Sequence, residues 1–231
     1  MRHEENRMSG ERIGYRITKR AFDIIASALG LVVTAPVWLA AVIGIELSDP
    51  GPVFYMANRV GFHNEPFRMF KFRSMRVDNQ ANEKSFKADV NRIFPWGAFM
   101  RSSKIDELPQ LLNVFLGDMS VVGPRPASAD QVSVTRGGRF SQVGSVKPGL
   151  SGPSALYDYI YGDTVTDEAE YEKLVLPTRL ELDRYYIRTA SWKLDVKMIF
   201  WTVRCILNSV FHRSSEKMLA QLIDWAKSME D

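Results

Sequence analysis

A run of 22 residues without a charge, at positions 24–45, is the feature that most constrains how this chain folds. As one α-helix the run measures roughly 33 Å, against about 30 Å for the hydrocarbon core of a bilayer. The run is also too long for the apolar part of an ordinary signal peptide. Three arrangements are therefore open: a buried core helix, a membrane-spanning helix, and a re-entrant helix that leaves on the side it entered.

The residues inside and around this run favour the re-entrant arrangement. Pro36 stands near its middle, where the ring removes a hydrogen bond and crowds the preceding turn, so a bend is expected. Thr34 can deepen the bend by donating a hydrogen bond to a nearby carbonyl. Basic residues precede the run (Lys19, Arg20) and return after it (Arg59), which opposes moving either flank across the membrane.

Charge is distributed unevenly along the rest of the chain. The net charge of the 231 residues is only +3, yet residues 48–147 carry 14 basic and 9 acidic side chains, and residues 148–186 carry 3 basic and 8 acidic ones. A basic middle segment facing an acidic one suits a local anion site better than a polyanion-binding face. No nucleic-acid-binding motif is present, and nucleic acid is not an expected partner.

Cysteine and histidine usage limits the possible metal and redox chemistry. Cys205 is the single cysteine, so no disulfide forms within the chain and a reducing compartment is indicated. The sequence has no Cys/His zinc spacing, no Walker loop and no GxGxxG motif. Any metal would be a hard cation held by oxygen ligands.

Hydrophobic periodicity predicts a mostly helical α+β fold. Segments 53–61 and 66–75 indicate two strands of a β-hairpin. On the second strand Lys71 and Arg73 are two residues apart and are expected on one face, either as a site or as a solvated edge. Helical patterns follow at 105–116, about 128–136, 168–188, 191–210 and 215–228.

Two adjacent carboxylates, Asp106 and Glu107, stand at the predicted start of the 105–116 helix. Ser103, three residues before Asp106, resembles an N-terminal capping signature. In a purely structural interpretation, such acids complement the helix dipole. In a catalytic interpretation, neighbouring helix positions fan apart by about 100°, so one acid can attack a substrate while the other holds a metal ion.

Cationic side chains near this acid pair favour chemistry on phosphates. Arg101 lies five residues upstream, and Pro124 and Pro126 restrict the backbone around Arg125, whose guanidinium suits bidentate phosphate contact. A plain surface position for Arg125 is the alternative. Together these residues point to phosphoryl transfer beside a membrane.

Six ordered blocks resemble one family, the bacterial sugar transferases or monotopic phosphoglycosyl transferases. The resemblance covers roughly residues 19–207 and rests on the blocks KRAFDIIAS, GPVFYMANRVG, FRMFKFRSM, RSSKIDELPQLLNVFLGDMSVVGPRP, KPGLSG and LELDRYYIRTASWKLDVKMIF. It implies a monotopic membrane protein with a re-entrant N-terminal helix, a small β-hairpin and interfacial amphipathic helices. The implied location is the cytoplasmic face of a bacterial inner membrane.

The activity implied by this resemblance is transfer of a sugar 1-phosphate from a UDP-sugar to polyprenyl (undecaprenyl) phosphate, with Mg²⁺ and release of UMP, in exopolysaccharide or other glycoconjugate assembly. Asp106 would be the nucleophile that forms an aspartyl phosphosugar, and Glu107 would help it to place Mg²⁺. The family's basic positions and two further acids would contact substrate; they correspond to Lys71, Arg73, Arg101, Arg125, Asp118 and Asp183. A catalytically silent membrane adaptor with the same fold is the alternative.

The resemblance also sets the expected domain organisation. We expect a polar tail at 1–17, the re-entrant helix at 18–47, a catalytic domain at 48–210 and a helical extension at 211–231, with a homodimer left open. Two departures stand out: Ala35 precedes Pro36 where the family often has Ser, and GLSGPSALYDYIYGDT (149–164) replaces a Trp-Gln-Val block. The second departure leaves the donor sugar undetermined.

Overall fold

A computed structural model of the chain describes residues 2–77, 90–211 and 213–230, with side chains defined from residue 14 onward except at position 90. In this part of the chain helices predominate, and two small two-stranded sheets accompany them. In chain order the elements are α1 (Arg2–Ser48), β1 (Phe54–Val60), β2 (Pro66–Phe72), α2 (Pro95–Ser102), α3 (Gln110–Leu116), β3 (Ser120–Val122), α4 (Val132–Thr135), β4 (Gly149–Ser151), α5 (Pro153–Ile160), α6 (Glu168–Leu174), α7 (Leu176–Thr189), α8 (Trp192–Val210) and α9 (Glu216–Lys227).

The predicted hairpin is confirmed, and α3 supports it from behind. Strands β1 and β2 pair antiparallel, with Tyr55 opposite Lys71. The Asn113 side chain on α3 accepts a hydrogen bond from the Phe70 N–H at 2.9 Å and donates one to the Arg68 carbonyl at 2.7 Å. Because Lys71 follows Phe70 directly, this amide helps to fix the strand that carries Lys71.

The long helix α1 contacts the rest of the protein on both sides of Pro36. Before the proline, Tyr15 and Lys19 donate hydrogen bonds to the buried Asp195 carboxylate at the start of α8, each at 2.7 Å. Asp23 accepts a hydrogen bond from the Val121 N–H of β3 at 2.9 Å. The part of α1 before Pro36 therefore lies against α8 and β3.

After the proline, α1 packs on the hairpin and on α2. Ala41 and Ile45 are fully buried in a cluster with Phe72 and Phe94. Gly44 allows this approach, since a Cβ atom at that position would lie 2.2 Å from the indole of Trp96. Arg73, just beyond β2, forms an ion pair with Asp49 and thereby holds the end of the helix.

The opposite face of α1 is apolar and exposed. Residues Gly14–Ser48 form a helix long and apolar enough to cross a membrane. Its most apolar stretch of 18 residues has a mean hydropathy of 2.2 and is only 11% buried, unlike a core helix. The exposed apolar side chains include Ile25, Leu29, Val32, Val33, Leu39, Ile43 and Leu47. The helix is continuous through Pro36, and Thr34 donates the expected hydrogen bond to the Gly30 carbonyl at 2.7 Å. The bend itself remains a prediction.

Two predicted helices are divided in the structure. The 105–116 helix is wrong as a single element, because a 3-10 turn at Ile105–Glu107 ends before Pro109 and α3 begins only at Gln110. The 168–188 helix is separated into α6 and α7 at Val175. No element boundary falls between positions 17 and 18, since α1 includes the predicted tail from Arg2 onward.

The predicted C-terminal extension is an integral part of the core. Met218, Leu222 and Ala226 of α9 are buried in the largest hydrophobic cluster, together with side chains of α5, α7 and α8. Trp225 stacks between Tyr185 and Trp201, at ring-centroid distances of 4.8 and 5.6 Å. This packing holds α8, and with it one wall of the site described next, against α7.

Candidate active site

Lys104 turns the chain from α2 into the 3-10 turn that carries the acid pair. Its backbone is left-handed, with φ = 56°, an unfavourable conformation for a residue with a side chain. The predicted capping role of Ser103 is wrong: its hydroxyl donates backward to the Phe99 carbonyl at 2.7 Å and so closes α2. The acid pair therefore lies in a tight, strained turn, not at an α-helix N-terminus.

The two adjacent acids have different environments. Asp106 is 4% exposed, and its Oδ1 atom has no hydrogen-bond partner within the described part of the chain. Glu107 is partly exposed and accepts a hydrogen bond from Lys71 Nζ at 2.8 Å. A buried carboxylate oxygen without a partner is energetically costly. We therefore interpret Asp106 as a ligand-binding or reactive group.

These environments shift the two pKa values in opposite directions. Burial raises the pKa of Asp106, and the charges of Lys71 and Lys104 oppose the shift without cancelling it. Burial also acts on Glu107, but Lys71, Lys104 and Arg125 outweigh it and hold the Glu107 pKa well below its usual range. Adjacent acids with separated pKa values are typical of sites in which each acid has its own role.

Arg125 is held by contacts from three directions. Its Nε lies 3.1 Å from Asp158 Oδ2, and its backbone N–H donates to Asp183 Oδ1 at 3.3 Å. The preceding Pro124 carbonyl accepts a hydrogen bond from the Gly149 N–H of β4 at 2.8 Å. The backbone of the Gly-Pro-Arg-Pro loop is thus anchored by two hydrogen bonds, and the guanidinium is paired with Asp158.

A buried polar network lies behind Arg125. Tyr171 donates a hydrogen bond to Asp158 Oδ1 at 2.6 Å, and Arg179 donates one to the Tyr171 hydroxyl at 2.6 Å. Burial raises the pKa of Asp158, but Arg125 and Arg179 outweigh this effect and the pKa is lowered. Asp183 is 3% exposed, and burial raises its pKa to about 6 despite its hydrogen bond from Ser154.

Two adjoining cavities open beside the acid pair. One, which we term the basic cavity, has a volume of about 90 Å³, and its charged lining residues are Arg59, Lys71, Arg125, Arg179, Glu107 and Asp158. The other, which we term the acidic cavity, has a volume of about 140 Å³, and its charged lining residues are Lys104, Arg125, Glu107, Asp158 and Asp163. Glu107, Arg125, Leu150 and Asp158 line both cavities and form the wall between them.

Comparison with known proteins assigns the chain to a family. The bacterial sugar transferase family matches residues 14–209. The chain belongs to this family. The match extends from the anchored part of α1 to nearly the end of α8 and leaves α9 outside.

Three relatives illustrate the range of this family. The UDP-N-acetylgalactosamine-undecaprenyl-phosphate N-acetylgalactosaminephosphotransferase of Aeromonas hydrophila is 37% identical over 84% of this chain and 44% of its own length. The UDP-glucose:undecaprenyl-phosphate glucose-1-phosphate transferase of Caulobacter vibrioides is 34% identical over 86% of this chain and 73% of its own. The exopolysaccharide production protein PSS of Rhizobium leguminosarum is 36% identical, over 81% and 94%. The chain therefore spans less than half of the first relative and most of the other two.

In this bacterial sugar transferase some of the predicted site residues lie together. Lys71, Glu107 and Arg125 line the basic cavity. Asp106 lies next to them but lines neither cavity in the described structure. Arg101 is close enough for its charge to lower the Asp106 pKa, against the larger effect of burial.

Other predicted residues are placed elsewhere. Arg73 forms the ion pair with Asp49 and donates a hydrogen bond to the Pro52 carbonyl at 2.5 Å, so it serves the end of α1 and not the cavities. Asp118 accepts a hydrogen bond from Asn113 Nδ2 at 3.2 Å beyond α3. Asp183 lies behind the Arg125 loop and supports it from there.

Sequence reasoning missed several residues of this site. Arg59, Lys104, Asp158 and Asp163 are not predicted as site residues by the sequence, although all four line the cavities. The uneven charge distribution was the available signal: Arg125 pairs with Asp158, and Lys104 pairs with Asp163 at 3.1 Å. Both ion pairs join the basic middle segment to the acidic one.

The acid pair fits the expected Mg²⁺. Asp106 offers a buried oxygen without a partner, and Glu107 offers a second hard oxygen ligand beside it. Within the described ranges, no group of three or more His, Cys, Asp or Glu side chains could hold a metal ion. Mg²⁺ is commonly held by one or two carboxylates with substrate phosphates and water, so two protein ligands suffice.

Proposed function

We propose that this protein transfers a sugar 1-phosphate from a UDP-sugar to undecaprenyl phosphate, as the first membrane step of exopolysaccharide or other glycoconjugate assembly. The relatives named above support the two substrate classes. The observation that carries the proposal is the buried, unpartnered carboxylate oxygen of Asp106, set beside Glu107 and within the influence of Lys71 and Lys104.

The proposed reaction has two displacements at one phosphorus atom. Asp106 attacks the sugar-bearing phosphorus, the bond to the bridging oxygen breaks, and UMP leaves with the electron pair. A phosphate oxygen of the lipid then attacks the same phosphorus, which frees the Asp106 carboxylate and leaves a lipid diphosphate sugar. The ionised carboxylate is the nucleophile, so the surrounding cations favour the reactive form.

The basic side chains and the acid pair have separate tasks in this scheme. Lys71 and Arg125 bind phosphate oxygens and offset the charge that accumulates during transfer. Asp106 and Glu107 would hold Mg²⁺, which when bound supplies charge neutralisation at the diphosphate. The Lys71–Glu107 pair keeps the ammonium at the wall shared by both cavities.

We further propose that α1 enters and leaves the cytoplasmic leaflet of the inner membrane. One long apolar helix is compatible with such monotopic association. The contacts of Tyr15 and Asp23 before Pro36 and of Ile45 after it with one domain support the arrangement, because a spanning helix would carry one flank away. The stripe of exposed apolar residues on α1 would then face lipid.

The test is UMP release by the detergent-purified chain supplied with undecaprenyl phosphate, Mg²⁺ and a panel of UDP-sugars that includes UDP-glucose and UDP-N-acetylgalactosamine. We expect release with at least one donor, loss on addition of a chelator, and recovery when Mg²⁺ is restored. Asp106→Asn should reduce turnover by at least about 10³-fold, because the nucleophile is removed. The exposed Asp130→Asn serves as the matched control.

Two outcomes contradict the proposal. Turnover by folded Asp106→Asn near the level of the unmodified chain excludes Asp106 as the nucleophile. No release from any donor by folded protein favours the silent adaptor.

A further inference from the structure

The two cavities beside the acid pair differ in charge. The basic cavity is lined by four basic and two acidic side chains, a formal charge of +2. The acidic cavity is lined by two basic and three acidic side chains, a formal charge of −1. They share a wall that includes Glu107, so both lie directly next to the proposed reaction centre.

The parts of a UDP-sugar differ in the same way. Its diphosphate carries two negative charges, whereas a hexose or N-acetylhexosamine is a neutral group of hydroxyls on an apolar ring. A diphosphate is attracted by the basic cavity, where Arg59, Lys71 and Arg125 converge, and is repelled by the additional carboxylate of the acidic cavity.

The acidic cavity has the chemistry that a neutral polyol requires. Its lining combines Ser151, Tyr159 and Thr202 with apolar side chains such as Ile206. The Tyr159 and Thr202 hydroxyls donate within the protein, to the Ser102 and Met198 carbonyls, and their oxygens can still accept from sugar hydroxyls. At its rim Lys104 Nζ lies 3.1 Å from Asp163 Oδ2 and 4.0 Å from the ring centroid of Tyr159. This ion pair presents both donors and an acceptor, which sugar hydroxyls can satisfy without a change in net charge.

The covalent structure of the donor agrees with this assignment. The sugar is bonded to the phosphate that is attacked, while the uridine is one phosphate farther away. With the diphosphate in the basic cavity, the sugar is therefore closer to the acid pair than the uridine is. The acidic cavity, on the other side of the shared wall, is within reach of the sugar.

We propose that the acidic cavity is the donor-sugar pocket, with Asp163, Thr202 and Tyr159 among its sugar-contacting residues, and that the basic cavity holds the diphosphate. This inference rests on the proposed function. It also places the pocket partly in the segment 149–164, where the sequence departs from the family's usual block.

The test compares a ligand that carries the sugar with one that lacks it. Thr202→Val removes a hydroxyl at nearly constant volume, and Asp163→Asn removes a charge from a half-exposed side chain. For each variant we would measure KM and kcat with UDP-glucose and UDP-N-acetylgalactosamine, and the inhibition constant of UDP. Arg59→Gln probes the basic cavity, and the exposed Glu172→Gln is the matched surface control.

We expect each acidic-cavity variant to raise the donor KM by about tenfold, the usual effect of one lost polar contact, and to leave the UDP inhibition constant unchanged. Arg59→Gln should weaken UDP and UDP-sugar in the same proportion. If the acidic-cavity variants weaken UDP as much as the donor, the pocket holds the nucleotide and the inference is overturned. If they change neither, it is also overturned. Absence of UMP release by the unmodified chain would instead count against the proposed function.

Discussion

Asp158 occupies a central position among the charged residues of the site. It is buried, it receives the Tyr171 hydroxyl at 2.6 Å, and it faces Arg125 at 3.1 Å and Arg179 at 4.0 Å. A carboxylate at this point both compensates two guanidinium groups and sets the direction of Arg125. It is therefore a positioning residue in the proposed reaction.

Replacing Asp158 by asparagine should impair both stability and turnover. The change removes the charge that Asp158 offers to the buried Arg179 and the partly exposed Arg125, so we expect the free energy of unfolding to fall by about 3 kcal/mol. The donor kcat/KM should fall by about 10–100-fold as Arg125 loses its fixed orientation. Chemical unfolding and UMP release measure the two effects.

A double-mutant cycle separates positioning from general destabilisation. Arg125→Lys should reduce kcat/KM strongly in the unmodified chain and much less in the Asp158→Asn background, because its fixed geometry is already lost. Fully additive effects would show that Asp158 does not act through Arg125. Asp130→Asn again provides the exposed control.

Asp183 should make stability depend on pH. Burial raises its pKa from 3.8 to about 6, so the folded state binds the proton more tightly than the unfolded chain does. Its contribution to stability is fully present below pH 3.8 and is lost as the pH rises through about 6. The corresponding loss above pH 7 is about 3 kcal/mol.

Asp183→Asn should flatten this pH dependence, because the amide stays neutral while its oxygen can still accept from Ser154. Melting temperatures would be recorded in detergent between pH 4 and pH 8. We expect the melting temperature of the variant to rise relative to that of the unmodified chain as the pH rises. An unchanged difference between the two proteins across that range would contradict the assignment.

At this scale the sequence predicts which residues matter better than it predicts their surroundings. The adjacency of Asp106 and Glu107 and the two prolines around Arg125 are visible in the sequence. The unpartnered Asp106 oxygen and the contacts of Asp158 depend on segments far apart in the chain and cannot be predicted from local pattern. Arg73 illustrates the same limit, because strand alternation cannot reveal that Asp49 lies beside it.

At the scale of elements, α1 carries the apolar surface on which the proposed membrane association rests. Its exposed apolar stripe lies opposite the face that carries Asp23, Ala41 and Ile45, all buried against the domain. Lys19 and Arg20, which the sequence presents as flanking charges, are used within the protein: Lys19 pairs with Asp195, and Arg20 donates to the Val114 and Phe115 carbonyls at the end of α3.

Cysteine labelling tests the topology of this helix. Cys205 is buried and can be replaced by serine, after which Arg16→Cys or Ser48→Cys introduces one exposed thiol on either side of Pro36. We expect a membrane-impermeant maleimide to label both positions in inside-out vesicles and neither in intact spheroplasts. Labelling of the two positions from opposite sides would show that α1 spans the membrane.

Helices and strands are predictable from the sequence where the hydrophobic pattern is sustained or is bounded by turn residues. The hairpin was identified from alternation and its turn residues, and α8 and α9 from sustained helical periodicity. The 105–116 segment was not, because helical periodicity continues across Pro109 while the left-handed Lys104 imposes a tight turn before it. A positive φ at a lysine has no sequence signal.

For the molecule as a whole, the C-terminal helix extends the core beyond the part that matches the family. The match ends at residue 209, yet α9 places Leu222 at 0% exposure in the largest hydrophobic cluster. Its residues line neither cavity in the described structure. A substitution in α9 is therefore expected to change the stability of the protein without changing its active site.

Leu222→Ala should destabilise the protein without altering its chemistry. The cavity left by the lost side chain should lower the free energy of unfolding by about 2–5 kcal/mol. UMP release per folded molecule should stay within about twofold of the unmodified chain, because the site is untouched. Lys217→Ala, on the exposed face of α9, should change neither quantity. Lost turnover in fully folded Leu222→Ala would mean that α9 takes part in the reaction.

The attachment of α1 to the domain on both sides of Pro36 has a kinetic consequence. Under the proposed topology, the domain cannot swing away from the leaflet, so the acid pair stays at one distance from the membrane surface. The nucleotide sugar then arrives by diffusion in three dimensions, whereas the lipid is found by a lateral search in two. The concentration that governs the second displacement is a surface density, set by the composition of the bilayer and not by the volume of the cell.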